Sequence, residues 1–250
     1  MKIIPLAVLF WLIFGVFVVN GRMFWPNEKW FEGVTNVDGL KQVFAQHESA
    51  YDRRYLIQAV PYFCKDHPVT VLPSWLVQEV GRAIDDPDPL IVIEGIIAAQ
   101  SLGLQELSPN LARTYLRARQ MSFEDMPTIH QTTAATLASF NTTASRMALT
   151  SIINGPQPDE VVTDAVPALR ALTVVGDSTN FAALDLLKMR VLVIKDSLSL
   201  VKNQFSATVL TNRADSMQVK SDSVLAAKTD AMAVFVDRVK SKIKEKTGAK

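Results

Sequence analysis

The chain has 250 residues, with 26 basic and 25 acidic side chains and a formal net charge of +1 at pH 7. A charge balance this even lacks the basic excess with which proteins bind nucleic-acid phosphates, so the composition predicts no nucleic-acid partner. The single cysteine, Cys64, excludes an internal disulfide, and apolar packing must therefore hold the fold together.

The chain opens with an apolar segment, residues 3–19, that carries no charge. Its length lies between the core of a secretory signal peptide and the roughly 20 residues that cross a bilayer. Two interpretations remain open: a signal peptide that is cut after Gly21, and a membrane anchor that is retained. Trp25 and Trp30 follow the segment at positions where aromatic side chains often contact a membrane interface. Residues 1–21 are therefore predicted to be a signal peptide or membrane anchor. The protein is predicted to be exported, either periplasmic or secreted, or anchored to the membrane.

Beyond the leader, prolines, glycines and capping residues recur at a regular spacing. Two sets of candidate helix starts interleave, each repeating at about 36 residues, and such a period is typical of arrays of helical hairpins. The first set falls near Asp38, Pro73, Pro109 and Thr142, and the second near Tyr51, Pro89, Asp125 and Asp159. The spacing predicts about four helical hairpins over residues 24–176.

Two of the predicted helices contain the local sequence Ala-Val-Pro, with prolines at Pro61 and Pro167. An interior proline removes one backbone hydrogen bond and clashes one turn back, which bends the helix. This interpretation predicts two bent helices, which suit a curved stack. The alternative is that each proline ends one helix and begins another.

Residues 83–104, AIDDPDPLIVIEGIIAAQSLGL, contain an acid-proline turn, a branched apolar residue at Val92, small residues at Ala98 and Ala99, and a closing Leu-Gly. This pattern resembles the turn and second helix of a HEAT repeat, in the style of the bacterial HEAT-like proteins. Those proteins often have a basic residue where this chain has Ile93, so apolar packing is expected to replace the polar ladder between repeats. The resemblance implies an all-α fold, an α-solenoid, and implies little about partners.

The helix predicted at residues 89–103 is apolar on nearly every side, and one neighbouring helix cannot bury all of that surface. Its large aliphatic side chains are Leu90, Val92, Ile93, Ile96, Ile97 and Leu102. We therefore expect this helix to be sandwiched between the helices before and after it. A charge at Ile93 or Ile97 is accordingly predicted to unfold the array.

The last segment, residues 177–250, is predicted to form one or two long helices, because it has no proline and no glycine before Gly248. Apolar residues from Leu184 to Phe205 alternate at spacings of three and four, which is the heptad pattern of a coiled coil. This heptad seam can cap the end of the repeat array, fold back on the later helix, or form a homo-oligomer through residues 184–205. All three possibilities remain open at this point.

Reactive residues do not cluster in the sequence. His47, Cys64 and His67 lack the paired spacing of four ligands that a structural zinc site requires, and His130 lacks the G-x-S-x-G frame that positions a nucleophile. The sequence therefore predicts no catalytic, cofactor or metal site. The alternative is an envelope enzyme with a site near His130 or near the other three residues.

Arg113, Tyr115 and Arg117 share one predicted helix, and a face of arginine and tyrosine is typical of protein-binding surfaces. A solvated helix face is the alternative. Helical repeat arrays also expose a curved surface larger than their core requires. The sequence therefore predicts a non-catalytic interaction or assembly scaffold at the cell envelope, with a protein partner that it does not identify. The rival is a membrane-tethered coiled-coil subunit of a complex.

Overall fold

The computed structural model describes residues 28–118, 124–155, 162–207 and 213–248, and the predicted leader, residues 1–21, lies outside them. The described residues form helices and no strand, which confirms the all-α prediction for this part of the chain. Their ten α-helices are α1 (Val37–Gln46), α2 (Ala50–Asp66), α3 (Ser74–Ile84), α4 (Pro89–Leu102), α5 (Ser108–Arg117), α6 (Met126–Phe140), α7 (Thr143–Asn154), α8 (Val166–Val175), α9 (Phe181–Ala207) and α10 (Arg213–Thr247). Short 3-10 turns lie at Glu28–Phe31, Gln105–Leu107, Val162–Ala165 and Ser178–Asn180.

Local side-chain bonds explain where the helices begin and end. Asn36, Ser49 and Asp88 each accept a backbone N–H at the start of a helix, which satisfies donors that have no partner inside the helix. α4 ends at Gly103, whose φ of 66° is a left-handed conformation that glycine adopts without strain. Apart from Asp159, which lies outside the described residues, each predicted helix start falls within one residue of an observed start.

The two Ala-Val-Pro prolines occupy different positions. Pro61 lies inside α2, as the bent-helix interpretation predicts. Pro167 lies in the first turn of α8, where the missing N–H costs no hydrogen bond because no helical partner exists for it. Pro167 therefore begins a helix, and the prediction of a bend at this second proline is wrong.

The helices form two rows. In the even row, α2, α4, α6, α8 and α10 contact one another in succession, and in the odd row α3, α5, α7 and α9 do the same. Helices that follow one another in the chain also pack across the rows, as α3 does on α4 and α7 on α8. One apolar core runs between the rows from Ile57 in α2 to Ile243 in α10. Hairpins that are adjacent in the sequence therefore lie side by side.

α4 is buried on one side and exposed on the other. Its buried residues are Ile91, Val92, Gly95, Ile96, Ala98 and Ala99. Leu90 is 44% exposed and Ile97 is 42% exposed, because α2, α3 and α6 contact α4 from the core side and from its flanks. Neighbours before and after α4 do contact it, but the prediction that a charge at Ile97 unfolds the array is wrong, because that side chain is 42% exposed. Ile97 is a surface position, and a charge there does not enter the core.

α9 and α10 are the last members of the two rows and form an antiparallel hairpin. Three ion pairs with N–O distances of 2.6 to 2.7 Å join the two helices: Lys188–Asp237, Lys195–Asp230 and Lys240–Asp185. α10 also packs on α8. Ile243 packs against Gly176, where an added Cβ would lie 2.7 Å from the Ile243 Cδ1 and 2.5 Å from the backbone oxygen of Leu172. The backbone atom cannot rotate aside, so a larger residue at position 176 must shift the chain.

The heptad seam is used inside the chain wherever its side chains are described. Leu184, Leu187 and Val191 are buried, and Ile194 packs against the same core. The seam side chains from Leu198 onward lie outside the described residues. Fold-back on α10 and the core thus occupies the described part of the seam, and self-association through residues 184–205 stays a prediction.

Candidate interaction face and cleft

Tyr115 belongs to the core rather than to a surface. Its side chain is fully buried, its ring stacks on His130 with centroids 4.0 Å apart, and its hydroxyl donates a hydrogen bond to the backbone oxygen of Asp164. These contacts tie α5 to α6 and to the turn before α8. The expected face of arginine and tyrosine therefore lacks its tyrosine, because position 115 of α5 faces the space between the rows.

Arg113 and Arg117 bind the turn that joins α3 to α4. Arg117 donates from Nη1 to the backbone oxygen of Asp85 at 2.6 Å. Its Nη2 donates to the backbone oxygens of Ile84 and Asp86 at 3.1 and 3.0 Å. Arg113 pairs with the Asp85 carboxylate at 2.8 Å. The last carbonyl oxygens of a helix have no helical donor, so Arg117 stabilises the end of α3. Partner binding by the exposed Arg113 stays a prediction.

The residues considered for a metal site lie among aromatic and apolar neighbours. His47 stacks on Trp30 with centroids 3.9 Å apart, and His67 packs against Phe63 with centroids 4.6 Å apart. Burial raises the pKa of the Cys64 thiol, which keeps it protonated and makes it a weaker nucleophile and ligand. In the part of the chain that the structure describes, no three His, Cys, Asp or Glu residues form a group that could hold a metal.

His130 is buried beside a cleft that lies between α6 and α8. Its Nε2 is 2.9 Å from the backbone oxygen of Tyr115. A carbonyl oxygen only accepts hydrogen bonds, so Nε2 carries the proton in this contact. Stacking on the Tyr115 ring and this hydrogen bond hold the imidazole in place. His130 is therefore a packing residue that also lines the cleft.

The cleft between α6 and α8 has a volume of about 560 Å³. The sides of α6 and α8 that face the cleft carry small apolar side chains, which leave space between the two helices. These side chains are Ala134, Ala135, Ala138 and Ala171. Polar groups border this apolar lining: His130, Gln131, Asp164 and Arg170. A mostly apolar cleft of this size with a few polar groups is typical of a binding pocket.

Arg170 is the exposed cation of the cleft. No carboxylate among the described residues lies within ion-pair distance of it. Its guanidinium can therefore pair with an anionic group on a bound molecule, for which arginine provides a planar set of donors. Asp164, the acid of the cleft, is buried.

The outward side of the even row exposes large apolar residues on three of its helices, and one of them, Val174, lines the cleft. Tyr51, Tyr62, Leu90, Ile97 and Val174 are between 42% and 64% exposed. They lie on α2, α4 and α8, opposite the sides of these helices that face the core. We call the surface formed by these five residues and the cleft the even-row face.

An ion pair crosses the even-row face between α2 and α4. Arg54 Nη2 lies 3.8 Å from Glu94 Oε1. Burial raises the pKa of Glu94, and the charge of Arg54 offsets part of that rise. Because these two charges compensate each other, the surface between the α2 tyrosines and the α4 aliphatics is nearly neutral, whereas Arg170 adds positive charge at the cleft.

A second exposed apolar stripe follows α9. Ala182, Leu186, Met189 and Val193 are exposed and are spaced by four, three and four residues. This spacing places them on one side of the helix, away from the core. The stripe differs from the predicted heptad seam, which faces the core.

The sequence contains signals for both exposed surfaces. α4 carries more large aliphatic residues than one buried side can hold, and the excess, Leu90 and Ile97, is the part that reaches the surface. α9 carries two interleaved heptad-like stripes, of which only one can face the core. The alanines could not predict the cleft from the sequence. Small residues leave a cleft only where two helices pack beside each other, and the sequence does not show which helices do so.

Comparisons of the chain with protein-family models, with curated proteins and with solved structures find no match. Within the residues that the structure describes, no helix combines the length and the apolar character needed to cross a membrane. The apolar segment at residues 3–19 lies outside the part of the chain to which this finding applies.

Proposed function

We propose that the protein is a non-catalytic interaction scaffold, an α-solenoid of HEAT-like hairpins that binds a protein partner along the even-row face. The observation that carries the proposal is the exposure of five large apolar side chains along the even row, one of which, Val174, lines a cleft of about 560 Å³. The packing of the core does not require apolar residues at these outward positions. Contiguous exposed apolar surface in soluble proteins commonly marks an interaction site.

The arrangement of the helices supports the solenoid part of this proposal. Each row is a succession of helices that contact the next member of the row, and hairpins stacked in this way present one continuous outward surface. A long surface of this kind suits an extended or helical segment of a partner better than a small, isolated metabolite. Tyrosine and arginine, which dominate binding energy in many interfaces, both occur on it.

The side chains of the even-row face define the chemistry of the partner. Leu90, Ile97 and the α2 tyrosines offer apolar contacts, and the cleft can receive one apolar side chain between its alanines. Arg170 favours a carboxylate next to that side chain. We therefore expect an amphipathic partner segment with apolar side chains along one side and at least one acidic residue at the cleft.

The proposal contains no catalytic step. His130, the histidine nearest to the cleft, is held by the Tyr115 ring and carbonyl oxygen, and its Nε2 proton is engaged there. Asp164, the acid of the cleft, is buried, so the cleft exposes mainly a guanidinium, an amide and alanines. These groups suit recognition rather than proton transfer.

Site-specific photo-crosslinking tests the proposal. A benzophenone amino acid replaces Ala135, which lines the cleft, or Met147, which is 68% exposed on α7 in the odd row. Crosslinking is carried out in the source cells. We expect a defined protein adduct at position 135 and none at position 147, because only the first position lies on the even-row face.

Matched charge variants complete the test. Ile97→Asp should lower the yield of the adduct at position 135 by roughly tenfold, the effect of losing about 1.4 kcal/mol of binding, and Met147→Asp should leave it unchanged. Both changes are at exposed positions, so both variants should keep the wild-type melting temperature. Equal adducts at the two positions, or an adduct that survives Ile97→Asp, would contradict the proposal.

We also propose that the scaffold works at the cell envelope and that residues 3–19 tether it to the membrane. The uncharged, aromatic-rich segment and the tryptophans that follow it support a retained anchor. Intact-mass measurement of the mature protein from the membrane fraction tests this part. A chain that starts near Arg22 contradicts the tether and leaves secretion.

Self-association is a second candidate function, and the outward stripe of α9 favours it. Leu186, Met189 and Val193 could pair with the same stripe of a second copy as in a short coiled coil. Sedimentation of the protein should then show a dimer that Met189→Asp converts to a monomer without a change in melting temperature. A monomer at all concentrations excludes this candidate.

A further inference from the structure

The loop between α2 and α3, residues 67–73, exposes two valines. Val71 is 80% exposed, the highest value among the large apolar side chains of the described residues, and Val69 is 38% exposed. Pro68 and Pro73 flank them. Proline restricts the backbone and removes an N–H donor, so this loop is kept out of both helices. We call residues 67–73 the valine loop.

A second, smaller apolar cluster places the valine loop near the first described residues. Its buried members are Val37, Leu40, Val60, Phe63 and Leu76. Phe31, in the turn Glu28–Phe31, packs against Phe63 at the end of α2 with ring centroids 6.5 Å apart. Leu72, the neighbour of Val71, packs in the same cluster. The chain therefore enters the fold at the end of α2 from which the valine loop projects.

The distance from this entry point to the apolar leader is limited by the length of the chain. Residues 20–27 connect the apolar segment 3–19 to Glu28. At no more than about 3.5 Å per residue, this connection spans at most roughly 28 Å. If residues 3–19 occupy a bilayer, the end of α2 with the valine loop must stay near the membrane surface.

We propose that the valine loop inserts Val69 and Val71 into the interfacial region of the bilayer that holds residues 3–19. This inference rests on the proposed tether. Its occupant is lipid and not a protein, because the proposed anchor at residues 3–19 would hold a bilayer within roughly 28 Å of this end of the fold. Two valines bind a membrane weakly on their own, but the tether makes the contact intramolecular and raises its effective concentration.

The charges beside the loop indicate which lipids it needs. Lys65 and Asp66 are both exposed at the end of α2 and carry opposite charges. They give no net attraction for acidic headgroups. The insertion should therefore occur in a bilayer of zwitterionic phosphatidylcholine, with little dependence on salt.

An environment-sensitive fluorophore in the loop tests the proposal. The full chain, residues 1–250, carries Cys64→Ala to remove the native thiol and either Val71→Cys or Met147→Cys, each labelled with a nitrobenzoxadiazole dye. Each protein is made in a cell-free reaction with phosphatidylcholine vesicles, and flotation separates bound from free chain. Lipids with a nitroxide near the headgroup then quench only dyes that reach the interface. Val71 and Met147 are exposed, and the partly buried Cys64 is replaced in both proteins, so circular dichroism should report the same fold for the two labelled chains.

We expect both labelled chains to float with the vesicles, and the dye at position 71 to be blue-shifted and quenched about twofold more by the nitroxide lipid than the dye at position 147. Flotation with equal, water-like signals at both positions overturns the valine-loop insertion and leaves the tether standing. Failure of both chains to float overturns the tether and the insertion together. The two proposals are thus separated by the same samples.

Discussion

The packing of α4 on α3 can be tested at Gly95. A Cβ added at Gly95 would lie 2.8 Å from the backbone nitrogen of Ile84 and 3.0 Å from the Cβ and carbonyl carbon of Ala83. Ordinary contacts of a Cβ begin near 3.4 Å. The atoms in the way are mainly backbone, which cannot rotate aside as a side chain can. A methyl group at Gly95 must therefore push the two helices apart by roughly half an ångström.

We expect Gly95→Ala to destabilise the protein by about 1–3 kcal/mol, the usual cost of overpacking, even though alanine in a helix interior gains about 1 kcal/mol over glycine. At about 3 °C per kcal/mol for a chain of this size, the melting temperature should fall by roughly 3–9 °C. Gly81→Ala on α3 is the matched control. Its Cβ would lie 3.4 Å from Leu107 Cδ2, so this change should be neutral or stabilising by up to about 1 kcal/mol.

Thermal and urea unfolding followed by far-ultraviolet circular dichroism measure both variants. The slopes of the urea transitions should match that of the wild type, so that a change in midpoint reports a change in stability. If Gly95→Ala proves as stable as Gly81→Ala, the close approach of α3 and α4 is not as described. The stacking of adjacent hairpins then loses its best-defined contact.

Three further predictions concern charged side chains. Arg117→Met keeps the apolar stem but removes the donor to the backbone oxygens of Asp85 and Asp86, while Thr114 still bonds that of Ile84. The free energy of unfolding in urea should therefore fall by about 1–3 kcal/mol, against less than about 1 kcal/mol for the more exposed Arg113→Met. Burial raises the pKa of Glu94, so the folded state holds this proton more tightly than the unfolded state. Stability should therefore fall as pH rises from the ordinary glutamate range through the raised pKa, and melting curves of Glu94→Gln should lack that part of the fall. A side-chain hydrogen bond from Thr179 is the main cause that lowers the pKa of Asp177. The stabilisation from Asp177 is thus present above the ordinary aspartate range and is lost as pH falls through the lowered pKa, so Asp177→Asn should melt lower at neutral pH and depend less on acid.

The helix starts could be predicted from the sequence because their causes are local. A capping side chain such as Asn36 or Ser49, or a proline in a first turn, acts on the backbone within three residues of itself. Such a cause is visible without knowledge of any neighbour in space. The same reason explains why the bend predicted at Pro167 is wrong. A proline that bends a helix and a proline that begins one have the same local sequence, Ala-Val-Pro in both cases here, and only the position of the helix start distinguishes them.

The exposed surfaces could not be predicted in the same way, because they depend on the number and placement of neighbouring helices. Tyr115 and Arg117 are two positions apart on α5, yet one is buried against His130 and the other bonds the end of α3. The sequence shows that both side chains suit an interface. It does not show that the interface lies within the chain. Leu90 likewise reaches the surface because α4 has neighbours on its core side and flanks only.

Stability and binding should separate on the even-row face, because its apolar side chains are exposed in the folded chain. The C-terminal hairpin buries the apolar residues that the end of the rows presents, as Ile243 does against Gly176. Nothing among the described residues buries Ile97 or Val174 to the same extent. An aliphatic side chain at such a position adds little to the free energy of unfolding, because the unfolded chain exposes it as well. The free energy of burying this side chain is gained only when another molecule covers it, so polar substitutions there should weaken binding and leave the melting temperature unchanged. Substitutions at the buried Leu184 or Ile243 should instead lower the melting temperature.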